Sequence, residues 1–230
     1  MNKKIREVYR DWSRNYDQSA KKNPAVAAVG NWLIKPIQKR KKVLDYGCGT
    51  GRAIPYLIKK DCEIVGVDLS REMLNIAKKR YSKKVKFILL NGQKFPFKKN
   101  SFDIIHASLL VNHIKDLKKF FKECSKVLKK EGLLLFDCSV KEIMNIEAPF
   151  IPKYLENKKE SKRIKENYKN TTFSHKFEDI VKTSKKNGFN LEFYKTIIID
   201  SKVKKALTKE SYKKNKGKNF WSIFWMRKVK

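Results

Sequence analysis

Three closely spaced glycines follow a short apolar run near the start of the chain. They are Gly47, Gly49 and Gly51, and the run before them, "KVLDYG", contains the acid Asp45. Glycine adopts positive φ easily and lets the backbone approach a ligand closely, and the free N–H groups at the start of a following helix favour anionic groups. A strand, a glycine turn and a helix in this order predict a ligand cradle.

A second acid, Asp68, ends the next apolar run, "CEIVGVD". In dinucleotide-binding folds an acid at this place binds the two hydroxyls of a ribose. Here the glycine spacing is G-x-G-x-G, and Arg52 stands where the NAD fingerprint has its last glycine. Asp45 would repel a pyrophosphate but suits a ligand with positive charge. S-adenosylmethionine carries a sulfonium, an ammonium, a carboxylate and a ribose, so the pattern favours it as the cofactor.

The segments around these motifs alternate between apolar runs and amphipathic helical patterns, among them a predicted helix over residues 116–130. The apolar runs are continuous, which predicts strands that are buried on both faces of a parallel sheet. Alternating strands and helices predict a doubly wound α/β fold with its ligand at the carboxyl ends of the strands. The predicted strands of this part cover residues 41–47, 62–68, 85–91, 101–110 and 131–140.

The alternation pauses after residue 140. A further helix is predicted over 174–189, and two apolar runs, 190–200 and 220–229, follow it in direct succession. Because two successive strands without a helical crossover pair antiparallel, we expect an antiparallel pair on an otherwise parallel sheet. The chain is predicted to be one domain with four parts: a helical cover at 1–40, a core at 41–140, a substrate-side insert at 141–172 and a C-terminal part at 173–230.

Composition restricts the class of protein. The 230 residues are 41% hydrophobic, which is a globular value, and no apolar run reaches the roughly 20 residues of a membrane span. The first residues have no apolar core after their basic side chains, so we expect a cytoplasmic protein without a transmembrane segment. The four cysteines are far apart without a CxxC pair, which predicts reduced thiols and no metal site.

Charge is the unusual bulk property, because 56 lysines and arginines face 23 acids and give a net charge of +33. Such a field attracts nucleic acid or an anionic membrane surface. The excess is mostly lysine and is spread along the whole chain, as it would be in any lysine-rich proteome. Charge alone therefore leaves both interpretations open.

Four segments resemble, in order and spacing, the class I S-adenosylmethionine-dependent methyltransferases, close to the type 11 group. The segments are "VLDYGCGTG", "VGVDLSREML", "FILLNGQKFPFKKNSFDIIHASLLVNHI" and "LKKFFKECSKVLKKEGLLLF". The resemblance covers residues 41–140. It implies a seven-stranded Rossmann-like sheet with an antiparallel terminal strand pair, S-adenosyl-L-methionine as cofactor, and methyl transfer as the reaction.

The resemblance also implies cofactor contacts for individual residues. The glycine-turn positions Gly47, Cys48, Gly49 and Gly51 would hold the methionine end of the cofactor, and Asp45 would support the turn and the ammonium. Asp68 would bind both ribose hydroxyls; capping of the next helix, for which Ser70 is also available, is the less favoured alternative. The other implied contacts are Leu69, Met73, Asn91, Gly92 and Gln93 near the adenine, Ala107 and Ser108 beside the methyl group, and Tyr16 in the covering helix.

Asn91 departs from the family pattern, since many members have aspartate there. Asparagine can still accept and donate hydrogen bonds, so we expect weaker adenine recognition rather than a different cofactor. Tyr9, Trp12 and Tyr16 have helical spacing, which is more often a sign of packing than of ligand contact.

The three histidines are the candidate bases, if the acceptor must lose a proton. His113 follows the carboxyl end of the fourth strand and ranks first, with helix packing as the alternative. His106 lies within that strand and is interpreted as structural, and His175 opens a later helix.

No acceptor signature is visible. A small molecule is the expected acceptor, since the type 11 group acts mostly on such substrates. RNA and a lipid-like acceptor at an anionic membrane are the alternatives, and so is a non-catalytic RNA- or cofactor-binding protein with the same fold. The sequence does not indicate an oligomeric state.

Overall fold

A computed structural model describes residues 3–21, 24–92, 94–140, 171–201, 204 and 209–229. Its centre is one sheet of seven strands: β1 (Lys42–Tyr46), β2 (Glu63–Asp68), β3 (Val85–Leu89), β4 (Phe102–Ala107), β5 (Leu128–Cys138), β6 (Phe189–Ile198) and β7 (Asn219–Lys228). The strand order is β3-β2-β1-β4-β5-β7-β6. Strands β1 to β5 are parallel, and β7 runs antiparallel to both β5 and β6. This topology confirms the predicted α/β fold with its antiparallel terminal strands.

The helices are α1 (Lys3–Trp12), α2 (Tyr16–Lys21), α3 (Pro24–Ile34), α4 (Ile54–Lys59), α5 (Arg71–Tyr81), α6 (Leu117–Val127), α7 (Phe177–Lys186) and α8 (Lys209–Asn215). Side chains set two of the starts, because Ser70 Oγ accepts from the Met73 N–H and Asp116 accepts from the Lys119 N–H. In the part of the chain that the structure describes, none of these helices is long and apolar enough to cross a bilayer.

Several predicted boundaries were wrong, and one helix was not predicted. Helix α6 ends at Val127 rather than at residue 130, because Leu128 already pairs with Phe102 of β4, and a register shift follows that pair. Strand β4 ends at Ala107 rather than at 110, because Leu109 turns the chain with φ +56°. The basic segment 201–219, for which only a connector between the last two strands was expected, contains α8. Apart from residues 171 and 172, the predicted insert at 141–172 lies outside the described residues.

The sheet is covered on both faces by apolar side chains. On one face, aromatic rings form the centre of the core: Phe136 of β5 stacks on Phe224 of β7 with ring centroids 4.8 Å apart, and Phe120 and Phe121 of α6 pack edge-on against Phe136. All four rings are buried. This cluster joins the antiparallel strands to the parallel part of the sheet, so it holds the two parts in one body.

Removing the central ring of this cluster should therefore destabilise the whole fold. We expect Phe136→Ala to lower the free energy of unfolding by about 3–5 kcal/mol, since it deletes buried area and leaves a cavity. The matched control is Ile198→Ala, because Ile198 is 50% exposed; it should change stability by less than about 0.5 kcal/mol. Urea denaturation followed by circular dichroism measures both, and equal effects would show that this cluster does not join the sheet.

Candidate cofactor site

The three glycines of the turn after β1 all have positive φ: +74° at Gly47, +54° at Gly49 and +84° at Gly51. These values lie in the left-handed region, which side chains other than glycine rarely adopt. A Cβ at Gly51 would lie 2.9 Å from the Cδ1 atom of Ile54, whereas a Cβ at Gly49 would meet nothing within 4 Å. Gly51 is thus needed for packing, and Gly49 presents its backbone to open space, as a ligand cradle requires.

Asp68 connects this turn to the next crossover. Its Oδ2 accepts the Gly49 N–H at 2.8 Å, and its Oδ1 accepts the Ser70 N–H at 2.9 Å. Burial raises the pKa of the Asp68 carboxyl, and the N–H groups of Ser70 and Gly49 oppose that rise. Each carboxylate oxygen has a second lone pair, so Asp68 can hold the turn and still accept from two ligand hydroxyls.

A first cavity lies between α1, the glycine turn and the end of β2. Its wall includes Gly47, Gly49, Asp68, Leu69 and Met73, together with Tyr16 at the start of α2. An acid and backbone N–H groups thus line one side, and apolar side chains line the other. This is the combination that a nucleoside needs, with a polar ribose and a flat, apolar base.

Helix α1 closes the first cavity from the N-terminal side with Ile5, Arg6 and Tyr9. The guanidinium of Arg6 donates to Asn91 Oδ1 at 3.1 Å, which ties α1 to the loop after β3. No role was predicted for Arg6, because a single arginine in a basic helix has no distinguishing spacing. Asn91 and Gly92 are described but do not line either cavity of the site, and Gln93 lies outside the described residues.

A second cavity, of about 230 Å³, lies between α3, α4 and the ends of β1 and β4. It shares Tyr16, Gly47, Gly49 and Ser108 with the first cavity, so the two meet at the glycine turn. Its other walls are formed by Asn31, Asp45, Cys48, Arg52, Tyr56 and His106, among others. Ala107 is fully buried and lines neither cavity, in contrast to its neighbour Ser108.

The end of β4 is held in place by Asp137 of β5, a residue that the sequence analysis missed. Asp137 Oδ2 accepts from the Ser108 hydroxyl at 2.8 Å, and its Oδ1 accepts from the Leu109 N–H and from Trp221 Nε1, each at 2.9 Å. These bonds fix Leu109 in its positive-φ conformation. A lone acid in the apolar run "LLLFDC" was the available signal, since a buried acid needs such partners.

His113, the predicted base, lies in the wall of the first cavity. Its Nδ1 is 3.2 Å from the Thr171 carbonyl oxygen, and its Nε2 is 2.8 Å from the Tyr9 hydroxyl. Because a carbonyl only accepts, Nδ1 carries the hydrogen and Nε2 accepts from Tyr9. Burial lowers the pKa of His113 to about 4. A catalytic role for His113 stays a prediction, and it would require Tyr9 to release Nε2.

His175 is also engaged, since its Nε2 lies 2.7 Å from the Ile114 carbonyl oxygen. Burial lowers the pKa of this imidazole as well. Both facts favour a structural role in joining the segment before α7 to the turn after β4.

Residues 44–136 match the family model of a methyltransferase domain. This part of the chain is a methyltransferase domain, and it is similar to the class I S-adenosylmethionine-dependent methyltransferases. It is 29% identical over 208 residues to an uncharacterized protein of Methanocaldococcus jannaschii, covering 89% of this chain and 93% of that protein. It is 38% identical over 96 residues to the demethylmenaquinone methyltransferase of Thermotoga maritima.

The match to the Thermotoga maritima enzyme covers 41% of this chain and 42% of that enzyme, so the chain spans less than half of that relative's length. Among solved structures, the fold is similar to an S-adenosylmethionine-dependent methyltransferase from Mesorhizobium loti, with a TM-score of 0.66 and 15% identity over 86% of this chain and 98% of that one. The expected family and cofactor are thereby confirmed.

The geometry of the site fits S-adenosylmethionine. The backbone at Gly49 faces open space, and Asp68 keeps lone pairs for a ribose. In addition, Asp45 Oδ2 is buried and has no hydrogen-bond partner among the described residues, so a donor group is missing beside the turn. The ammonium of the cofactor is such a donor.

Loss of the Asp68 carboxylate should abolish cofactor binding. We expect Asp68→Ala to weaken the binding of S-adenosylhomocysteine by at least about 100-fold, or about 2.7 kcal/mol, because both the ribose acceptor and the anchor of Gly49 are lost. Asp68→Asn is the matched control; it keeps the shape and one oxygen and should lose less. Calorimetric titration measures both, and near-wild-type affinity of the alanine variant would refute the assignment.

The pKa of His113 predicts a pH effect on stability. Because this pKa is depressed from 6.5 to about 4 in the folded state, the neutral ring stabilises the fold above pH 6.5, and that contribution disappears as the pH falls toward 4. The shift corresponds to about 3 kcal/mol. We expect the wild type to lose this amount relative to His113→Gln between pH 7 and pH 4. The free energy of unfolding is measured by urea denaturation at several pH values. If it changed with pH by the same amount in both proteins, the prediction would be wrong.

Proposed function

We propose that this methyltransferase transfers the methyl group to a small-molecule acceptor that carries an acidic group. The observation that supports this proposal is the second cavity. Its volume of about 230 Å³ suits part of a small molecule, and it meets the first cavity at Ser108 and the glycine turn. An acceptor in the part of the second cavity lined by Arg52 and Tyr56 would therefore lie beside the cofactor, whose amino-acid end would occupy the part lined by Asp45 and His106.

The acidic group is inferred from the entrance to this cavity. Arg52 and Tyr56 line the second cavity and also a wide groove of about 890 Å³ between α2, α4 and α5, which we call the basic groove. The acid in its wall, Asp17, already pairs with Arg80 and accepts from Thr50. The basic side chains in the wall of the groove are those of Arg14, Arg52, Lys59 and Arg80.

Three of the four basic residues of this groove are arginines, although most of the positive charge of the chain comes from lysine. A guanidinium presents a planar fork of donors that matches carboxylate and phosphate. Tyr56 is 52% exposed and adds a flat apolar surface at the same entrance. These features favour an acceptor with a carboxylate or phosphate next to a ring or chain.

The residues of the site perform the reaction mainly by position. The bound cofactor supplies an activated methyl group on a sulfonium, so the protein has to align the acceptor and exclude water. Gly49 and Asp68 hold the nucleoside end, and Asp137 fixes Ser108 where the two cavities meet. Tyr9 of α1, whose ring centroid lies 6.0 Å from that of Trp12, lines the first cavity.

RNA is the second candidate acceptor, and the basic groove together with the net charge of +33 favours it. A phosphate backbone would bind Arg14, Lys59 and Arg80 without sequence preference. RNA binding of this kind falls steeply with salt, whereas a small acid held by a few contacts depends on salt less. Among the relatives, the demethylmenaquinone methyltransferase is named for a small molecule. Nothing in the described residues favours a membrane-bound acceptor.

The experiment supplies tritiated S-adenosylmethionine with a panel of small carboxylates and phosphates, or with total RNA. We expect label in the small acids. We expect Lys59→Gln to raise KM for the methylated acid about 3- to 10-fold, as one lost charged contact does, with unchanged cofactor affinity. Lys118→Gln, at an exposed position of α6, is the control and should behave as wild type. Label in RNA that disappears with salt, or equal KM values for both variants, would overturn the proposal.

A further inference from the structure

Asp45 and His106 form a buried pair under α3. They are direct neighbours across β1 and β4. His106 Nδ1 lies 2.8 Å from Asp45 Oδ1, and both side chains are 3% exposed. Because the aspartate oxygen accepts, Nδ1 carries the hydrogen of the neutral ring and Nε2 is left as an acceptor. The aspartate thus fixes both the orientation and the tautomer of the imidazole.

Each member of the pair has an unused acceptor. Asp45 Oδ2 and His106 Nε2 are both buried, and neither has a hydrogen-bond partner among the described residues. Buried polar atoms without partners are rare in folded proteins, because their desolvation is not compensated. A structural histidine in an apolar strand would be expected to satisfy both of its nitrogens. Two unfilled acceptors on one pair favour a donor other than the described residues, and a bound ligand can supply one.

The pair lies in the wall of the second cavity. Both Asp45 and His106 line this cavity, which meets the first cavity at Gly47 and Gly49. With the nucleoside of the cofactor in the first cavity beside Asp68, its amino-acid end lies next to the turn. That end carries an ammonium, which has three donors and a positive charge. It matches two acceptors of which one is a carboxylate.

We propose that His106 is a second receptor for the ammonium group of the cofactor, and that Nε2 accepts one of its hydrogen bonds while Asp45 Oδ2 accepts another. The family resemblance assigned the ammonium to Asp45 alone and left His106 as a structural residue. The pair then acts as a unit, since Asp45 binds the ammonium directly and also orients the ring that binds it. The inference rests on cofactor use but not on the identity of the acceptor.

The test compares three ligands that differ in the amino-acid end. S-adenosylhomocysteine carries the ammonium, its deamino counterpart lacks only that group, and 5′-methylthioadenosine lacks the whole amino-acid end. In the wild type, we expect removal of the ammonium to weaken binding at least about 10-fold. In His106→Leu the same removal should cost clearly less, because one acceptor is already gone.

Binding of 5′-methylthioadenosine is the internal control for folding. It should have the same affinity in the wild type and in His106→Leu, since the first cavity is unchanged. If the leucine variant does not fold, His106→Gln replaces it; its side chain keeps an acceptor of different reach and should give an intermediate penalty. Asp45→Asn should reduce the ammonium penalty at least as much as His106→Leu, because it removes the charge.

The outcomes separate the inference from cofactor use itself. If the wild type binds S-adenosylhomocysteine but the ammonium penalty is the same in His106→Leu, the proposal is wrong, and an internal water explains the two unfilled atoms. A variant that loses all three ligands together would also overturn it, since the histidine would then be a structural residue. If the wild type binds none of the ligands, cofactor use fails first, and His106 has no ammonium to bind.

Discussion

The site depends on the two hydrogen bonds that the Asp68 carboxylate accepts from the backbone. One bond ends on Gly49 in the turn after β1, and the other ends on Ser70 at the start of α5. They join two successive strand–helix crossovers, so the glycine turn cannot move independently of the strand that supplies the ribose acceptor. The N–H groups of Gly47 and Cys48 also donate to the Val67 carbonyl oxygen, so the Asp68 carboxylate completes the attachment of the turn to β2.

Three acids at the ends of strands hold the segments around the site. Asp45, Asp68 and Asp137 all lie at the carboxyl end of a strand; Asp45 and Asp137 are buried, and Asp68 is half-buried. Burial raises the pKa values of Asp68 and Asp137, and N–H or O–H donors oppose the rise in each case. Each acid therefore fixes a neighbouring segment: Asp68 the glycine turn, Asp137 the end of β4, and Asp45 the ring of His106. Hydrogen bonds to these acids thus set the positions of the segments that line the crevice at this edge of the sheet.

Helix α1 forms the outer wall of the first cavity. It packs against α5, and its apolar residues Val8 and Trp12 are buried. Tyr9 and Arg6 attach it further to His113 and Asn91 by hydrogen bonds. The helix thus adds one wall of the first cavity from outside the sheet.

Most of the fold could be predicted from the sequence, because continuous apolar runs, a glycine turn and the Ser70 cap are local signals. The boundaries at Val127 and Leu109 could not, since a register shift and a left-handed residue set them through contacts between distant strands. Asp137 and Arg6 were missed for the same reason, as their partners are far away in the chain. The second cavity was not predicted, since residues of α3 and α4 form its wall together and no local sequence pattern shows how two helices are placed relative to each other.

The most direct test of the account is calorimetric titration of the purified wild-type protein with S-adenosylmethionine and with S-adenosylhomocysteine at moderate salt. The account predicts saturable binding of both with one site per chain and a dissociation constant on the order of micromolar. If a well-folded sample bound neither compound, the crevice at the ends of β1, β2 and β4 would not be a cofactor site, and the central claim would be wrong.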